Sequence, residues 1–146
     1  MKNKFLTIFI LFLITICFPQ VNSAQELPYN EGTVWDITFV RTKPGMEFDY
    51  MKSLAAEWQK QNEELKKQGV ILSYKLLYGS PANQEDWDMM LMVEYKNMAA
   101  LDGIVGKYMN VINKMRSKDQ QITGYIKRSE MREILGDKVV RELILK

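Results

Sequence analysis

Three carboxylates at strand-like positions are the first residues in this sequence whose types suggest chemistry. Asp36, Asp88 and Glu94 fall among alternating apolar and polar residues, a pattern typical of β-strands. A carboxylate enclosed between packed sheets has a raised pKa and can act as a general base. The alternative is a structural ion pair of Glu94 with Lys75 or Arg41, across the strands or across an interface. The ion pair is favoured, because structural pairs are far commoner than catalytic acids.

A group of aromatic residues suggests a second kind of site, a ligand pocket. A space left open between helix and sheet would be lined by apolar rings and a few hydroxyl donors. The alternative is a filled core in which each hydroxyl finds a partner, and this is the commoner arrangement. The residues assigned to this pocket are Trp35, Trp58, Tyr74, Tyr78, Trp87 and Tyr95, and Tyr108 belongs to the same aromatic set.

The composition excludes several classes of catalysis. The 146-residue chain has no histidine and one cysteine, Cys17. Imidazole acid-base chemistry, histidine-rich metal sites and Ser-His or Cys-His nucleophiles are therefore excluded. The run GIVGK at 103–107 lacks the pattern of a phosphate-binding loop. The sequence assigns no catalytic residue, and we expect neither a metal nor a cofactor.

The first 24 residues have the organisation of a secretory signal peptide. A basic MKNK start precedes the apolar run FLTIFILFLITIC, and VNSA supplies small residues for cleavage after Ser23 or Ala24. The apolar run is shorter than the 20 or so residues of a membrane span. Cys17 is preceded by the bulky Ile16, which argues against a lipid anchor at that cysteine. We expect an exported protein with a mobile lead-in at 25–33 and one domain at 34–146.

The charge of the predicted mature chain is balanced. Loss of Lys2 and Lys4 from the 20 basic residues leaves 18, against 18 acidic ones. A net charge near zero argues against nucleic acid or an anionic membrane surface as a partner. No cysteine remains after cleavage, so the core or an oligomer interface must stabilise the exported chain.

The periodicity predicts the order β-α-β-β-α-β. This is the ferredoxin-like order, an α+β fold with an antiparallel sheet and helices on one face. Gly69 is placed at a helix C-terminus and Asn97 at a helix N-cap. The path of residues 113–137 is not predicted, although Gly136-Asp137 is read as a turn. The predicted strands are 34–42, 70–79, 87–95 and 138–145, and the predicted helices begin near Met46 and after Asn97.

Alternation assigns the strand residues to two faces of the sheet. Odd-numbered residues of the first and third strands are expected to meet the helices. The second face mixes charged and apolar side chains, and it is too apolar to be left in water. We expect a second copy to cover it, sheet against sheet, through Val40, Leu77, Met90 and Met92. The alternative is that the C-terminal segment folds over this face.

Two junctions resemble those of the dimeric α/β barrel superfamily. They are KPGMEFDYM after the first strand and EYKNMAAL after the third, and the resemblance covers roughly residues 33–112. It implies a ferredoxin-like fold near antibiotic-biosynthesis-type monooxygenase domains, in an uncharacterised secreted group with long, charged C-terminal segments. Haem-binding members usually ligate iron through histidine, which this chain lacks. The resemblance does not assign a functional role of the superfamily to any residue of this chain, so it supports an expectation about the fold alone.

Two functions follow as hypotheses. The first is an exported homodimeric module that binds a small apolar ligand or an envelope partner. The second is a cofactor-independent, monooxygenase-like enzyme that acts on an aromatic or quinol-type substrate with Tyr, Trp and Arg side chains. A domain of purely structural use is the third reading. The enzyme needs an open cavity between helix and sheet, and a closed structural module has none.

Overall fold

The computed structural model describes residues 26–146, so the predicted leader at 1–24 lies outside the described residues. The described residues form four strands and three main helices. The strands are β1 (Tyr29–Thr42), β2 (Ser73–Tyr78), β3 (Met89–Tyr95) and β4 (Arg132–Leu145). Helix α1 joins three segments, Glu47–Ser53, Leu54–Gln59 and Lys60–Lys67; α2 is Ile104–Met115 and α3 is Lys118–Met131.

The strands form one sheet in the order β2-β3-β1-β4, and every neighbouring pair is antiparallel. The β1-α1-β2 unit leaves room for β3 between its two strands, which is the ferredoxin-like arrangement. The predicted α+β class and the ferredoxin-like fold with an antiparallel sheet are therefore confirmed. One difference is the long pairing of β1 with β4, which extends from Tyr29↔Leu145 to Thr42↔Arg132.

This long pairing changes two boundaries predicted from the sequence. β1 begins at Tyr29, so part of the expected mobile lead-in pairs with β4. Gly136 and Asp137 do not form a turn, because both pair with β1, opposite Phe39 and Thr38. The register shifts just before Gly136, between Phe39 and Val40, where β4 carries an extra residue. A bulge of this kind explains how a turn-like dipeptide is accommodated inside a strand.

Two glycines adopt the left-handed conformation at the ends of helical segments. Gly69 follows α1 with φ of 69°, which is the role predicted for it. The Asn97 side chain accepts a hydrogen bond from Ala100 N at 3.1 Å and so caps a short 3-10 turn, Met98–Leu101. Gly103, with φ of 64°, separates that turn from α2.

Helix α3 occupies the segment whose path the sequence did not predict. Ser117 and Gln120 form a capping box, with each side chain bonded to the other residue's backbone N–H. Met131 at the end of α3 packs with Tyr50 and Leu54 of α1. The C-terminal segment therefore lies on the same side of the sheet as α1, and the alternative in which it covers the other face is wrong.

The register assigns the faces of β1 in the opposite way to the prediction. Val34 pairs with Tyr95 and Val40 with Met89, so even-numbered β1 residues share a face with odd-numbered β3 residues. We call this the helix face, because these residues pack against the helices. The other side is the open face, which carries Trp35, Ile37 and Phe39 of β1 with Met90, Met92 and Glu94 of β3. Alternation fixes which residues of one strand share a face, but only the register relates one strand to the next.

The helix face holds two buried clusters. The first contains Val34, Leu65, Ile71, Val93, Tyr95 and Val111. The second contains Val40, Tyr50, Leu54, Met89, Leu91 and Met131. Trp58 contacts both of them from α1. A polar cavity adjoins the second cluster, beside Tyr50, Leu54 and Trp58.

Candidate functional site: an arginine-lined cavity between the helices and the sheet

The candidate site is a cavity of about 300 Å³ between α1, the ends of α2 and α3, and the sheet. This volume is at the lower end of the range for small-molecule sites. Its apolar wall is made by Leu54, Trp58, Leu91 and Ile112. The polar residues of the lining are Tyr50, Glu57, Gln61, Arg116, Arg128 and Arg132.

A π-helical segment of α1 presents one side of the cavity. Leu54, Glu57 and Trp58 all lie within the segment Leu54–Gln59, where the backbone departs from α-helical hydrogen bonding. Short π-helical segments inside α-helices occur frequently at functional sites. Trp58 is further fixed by Tyr74, whose ring meets it edge-on with centroids 5.2 Å apart. The apolar wall is therefore held in place by the core.

Glu57 is the charged centre of the site. Arg116 Nη1 lies 2.5 Å from Glu57 Oε2, and Arg128 Nη1 donates to the same oxygen. Arg116 also donates to Gln61 Oε1 at 3.2 Å. Gly124 of α3 makes room for this network, since a Cβ there would lie 3.2 Å from both Glu57 Oε1 and Arg128 Nη1. A glycine weakens a helix interior, and its place here is explained by this close approach.

Two hydrogen-bond donors of the cavity lining have no protein partner among the described residues. They are the Tyr50 hydroxyl and Arg132 Nε, and both atoms are buried. Arg132 lies beside Tyr50, with its Cζ 5.5 Å from the centre of the Tyr50 ring. A buried donor without a partner costs about 1–3 kcal/mol, so such groups are rare and call for an explanation.

The Tyr50 hydroxyl is a donor at neutral pH. Burial raises the pKa of this phenol, and the charges of Arg132 and Arg128 offset part of the rise. Tyr50 has no exposed surface. The site therefore contains three guanidinium groups, one carboxylate and one neutral phenol, and it carries an excess of two positive charges.

The predicted aromatic pocket is only partly assembled. Trp58 lines the cavity, and Tyr74 supports it from the side. Tyr95 is buried at the other end of the helix face, where its hydroxyl lies 2.9 Å from that of Tyr108. Tyr78 is 62% exposed at the end of β2.

Two further predicted pocket residues, Trp35 and Trp87, also lie away from the helix-face cavity. Trp35 lies on the open face, where Lys75 Nζ is 4.7 Å from its ring centroid. Trp87 precedes β3 and packs against Phe39, with ring centroids 6.2 Å apart. The expectation that all six aromatic residues line one pocket is wrong, because the register of β1 turns Trp35 away from the helices.

The three predicted carboxylates occupy three different environments. Asp88 is buried and accepts hydrogen bonds from Thr42 N and Thr42 Oγ1, so it links the ends of β1 and β3. Glu94 lies on the open face, where it accepts from Ser73 and from Thr33 Oγ1 at 2.8 Å. The expected ion pair of Glu94 with Lys75 or Arg41 is replaced by these hydroxyl bonds, and Arg41 pairs with Glu133 at 2.7 Å.

Asp36 lies on the helix face, opposite to the predicted face, because it pairs with Val93. Burial is the main cause that raises its pKa above 3.8, and the negative charge of Asp137 raises it further. Folding therefore favours the protonated form. The ionised form destabilises the fold, and this penalty grows as the pH rises from the unfolded-state pKa through the higher folded-state pKa.

Asp36→Asn should therefore increase the free energy of unfolding at pH 7 and leave it unchanged near pH 3. Urea unfolding at the two pH values measures the difference. Glu85→Gln, in an exposed loop, is the control and should have little effect at either pH. Destabilisation of the Asn variant at pH 7 would contradict this account of Asp36.

The residues assigned to an interface are divided between the two faces. Leu77, Met90 and Met92 are on the open face, as expected. Val40 is not: it pairs with Met89 on the helix face and has no exposed surface. Ile37 and Phe39 take its place on the open face.

The sequence interpretation missed most of the cavity residues. The sequence pattern predicts that Leu54 and Trp58 share one face of a helix. Tyr50 lies four residues before Leu54, so the same spacing also places it on that face. The arginines come from the end of α2, from α3 and from the start of β4. The Ser117-x-x-Gln120 capping signature would have located the start of α3, and hence the general position of Arg116 and Arg128.

Two general features of the described residues bear on the type of site. Within residues 26–146, no group of three or more His, Cys, Asp or Glu side chains is arranged to hold a metal ion. No helix in the same range is both long and apolar enough to cross a membrane.

Comparison with known proteins finds similarity only among solved structures. No protein-family model matches the chain, and no curated protein matches it. A solved structure from Bacteroides fragilis, a dimeric protein of unknown function with a ferredoxin-like fold, is 16% identical. The match covers 76% of this chain and 95% of that chain, with a TM-score of 0.43. The fold assignment of this chain rests on its own strand order and register.

Proposed function

We propose that this chain is an exported, homodimeric binding module in which each protomer holds a small molecule in the arginine-lined cavity. The observation that carries the proposal is the pair of buried, unpartnered donors, Tyr50 Oη and Arg132 Nε, in one cavity. A ligand that accepts from both donors would remove the cost of their burial. The apolar residues of the same cavity would hold the rest of the ligand.

The open face supports the homodimer. Its centre is formed by the middle strands of the sheet, where Ile37 pairs with Met92 and Phe39 with Met90. Leu77 and Val140 extend the apolar surface and are 45% and 39% exposed. Two lysines of this face contact aromatic rings of the same sheet: Lys75 lies over Trp35, and Lys138 lies over Phe39. An apolar centre with polar residues around it is the usual anatomy of an interface.

Export is the third part of the proposal, and its support is the organisation of residues 1–24. A basic start, an apolar run and small residues before Gln25 are typical of a cleaved signal. Amino-terminal sequencing of protein from the exported fraction should give a mature chain that begins near Gln25. An intact Met1 in the purified protein would contradict export by this route.

The cavity can be tested by asking what it retains during purification. Protein purified gently is denatured, and the released small molecules are identified by mass spectrometry. Ile112→Trp should fill the cavity from its rim and abolish the recovered compound. Met109→Trp is the matched control, because Met109 is 40% exposed on the same helix and does not line the cavity. Equal recovery from both variants would contradict binding in this cavity.

The monooxygenase-like enzyme is the second candidate, and one observation favours it. Tyr50, Trp58 and three arginines do line the same cavity, and these are the residue types that this hypothesis requires. The binding module is preferred for two reasons. Glu57 is engaged by two arginines, and the raised pKa of Tyr50 keeps its phenol protonated, so it is not available as a base at neutral pH. Oxygen consumption with a quinol substrate, lost in Ile112→Trp but kept in Met109→Trp, would reverse this preference.

A further inference from the structure

The charges around the cavity restrict the chemistry of the ligand more closely than the shape of the cavity does. Arg116 and Arg128 share one carboxylate, Glu57. The third arginine, Arg132, has no ion-pair partner among residues 26–146; it lines the cavity, and its buried Nε has no hydrogen-bond partner in the described structure. Guanidinium groups bind planar oxyanions with two parallel hydrogen bonds, and these bonds are stronger than neutral ones.

The neutral donor beside Arg132 fits the same kind of ligand. Tyr50 offers an O–H and no negative charge, and its ring lies next to the Arg132 guanidinium. One oxygen of an anion can accept from the Arg132 side chain while the other accepts from the Tyr50 hydroxyl. This arrangement would satisfy both unpartnered donors and neutralise part of the excess positive charge.

The apolar residues that line the cavity restrict the kind of molecule that can carry the anion. Leu54, Trp58, Leu91 and Ile112 are apolar, and Trp58 is held edge-on by Tyr74. A free inorganic anion would leave this wall without a contact. An aromatic or branched aliphatic body would cover it and remove apolar surface from water.

We propose that the cavity binds a carboxylate carried on an aromatic or branched apolar body, with the carboxylate at Arg132 and Tyr50 and the body against Trp58. This proposal rests on the proposed function, because it names the class of ligand for the same cavity. It goes beyond that function by requiring a negative charge on the ligand.

The test is isothermal titration of the mature chain, residues 25–146, with 2-naphthoate, 2-naphthamide and inorganic phosphate. The two naphthalene compounds have the same apolar body and differ in charge. We expect naphthoate to bind at least 30-fold more tightly than the amide, and phosphate to give no measurable heat. Rising salt should weaken the binding of naphthoate, because charge attraction contributes to it.

Two variants and one control locate the carboxylate. Arg132→Gln and Tyr50→Phe should each weaken the binding of naphthoate at least 10-fold. Arg141→Gln is the matched control: Arg141 pairs with Glu31 at the other end of β4 and should leave binding unchanged. Tyr50→Phe is the more informative variant, because the hydroxyl has no partner to lose in the folded chain and the protein should remain folded.

The outcomes separate this inference from the proposed function. Equal affinity for naphthoate and naphthamide, binding of phosphate alone, or no binding of naphthoate would each overturn the inference. A neutral compound recovered from the purified protein, and lost in Ile112→Trp, would overturn the inference and support the binding module. If Ile112→Trp and Met109→Trp retain the same compounds, the binding module itself fails.

Discussion

Met92→Lys should give a folded monomer in place of the proposed sheet-to-sheet dimer. Met92 pairs with Ile37 at the centre of the open face, so a twofold axis near this point would bring two lysines together between the sheets. An uncompensated charge buried there costs about 3–4 kcal/mol. This penalty corresponds to a rise in the dimer dissociation constant of roughly 100- to 1,000-fold. Light scattering coupled to size exclusion measures the change in mass.

The monomer should remain folded after this substitution because of the position of Met92. The residue is only partly buried in the isolated protomer, so a lysine there reaches water when the partner is absent. Circular dichroism should therefore show an unchanged fold. Met109→Lys, on exposed α2, is the control and should remain dimeric. A Met92→Lys protein that keeps the mass of two chains would show that the open face is not the interface.

Glu57→Gln should destabilise the protein by about 2–3 kcal/mol. The substitution removes the only carboxylate that Arg116 and Arg128 contact in the described structure, and it leaves their charges close together. Removing one partner of a buried ion pair costs about 3–5 kcal/mol. The three side chains are 17–29% exposed, which places the effect at the lower end of that range or just below it.

A control carboxylate on the same helix separates this effect from a general loss of charge. Glu64 lies 4.0 Å from Lys67 in an exposed pair, so Glu64→Gln should cost less than about 0.5 kcal/mol. Added sulfate should recover part of the stability of Glu57→Gln, because it can bind the freed guanidinium groups. Similar free energies of unfolding for the two variants would mean that Glu57 does not organise the arginine cluster.

The sequence predicts the elements of this fold better than their mutual arrangement. The strand pattern of 34–42, the helix of Met51, Leu54 and Trp58, and the left-handed Gly69 follow from local periodicity and backbone chemistry. Local periodicity does not show which side of β1 faces the helices. That depends on the pairing of Val34 with Tyr95, which joins two strands far apart in the chain. The error about Val40 and Trp35 arises from this single step.

The cavity is harder to predict than the fold for the same physical reason. Tyr50 and Glu57 lie on α1, whereas Arg116 and Arg132 come from two later parts of the chain, the end of α2 and the start of β4. The sequence does not predict the path of the segment that carries these arginines. An amphipathic helix shows its apolar face in the sequence. An arginine that faces a cavity looks the same in the sequence as one that faces solvent. Only the contacts with Glu57 and the unpartnered Arg132 Nε distinguish them.

Native mass spectrometry of the protein purified gently from the exported fraction tests the central claim most directly. That claim is a sheet-to-sheet homodimer in which each protomer binds one small molecule. We expect the mass of two mature chains with one or two identical small adducts, and loss of the adducts in Ile112→Trp. A spectrum that contains only bare single chains would contradict both the interface on the open face and the ligand in the cavity.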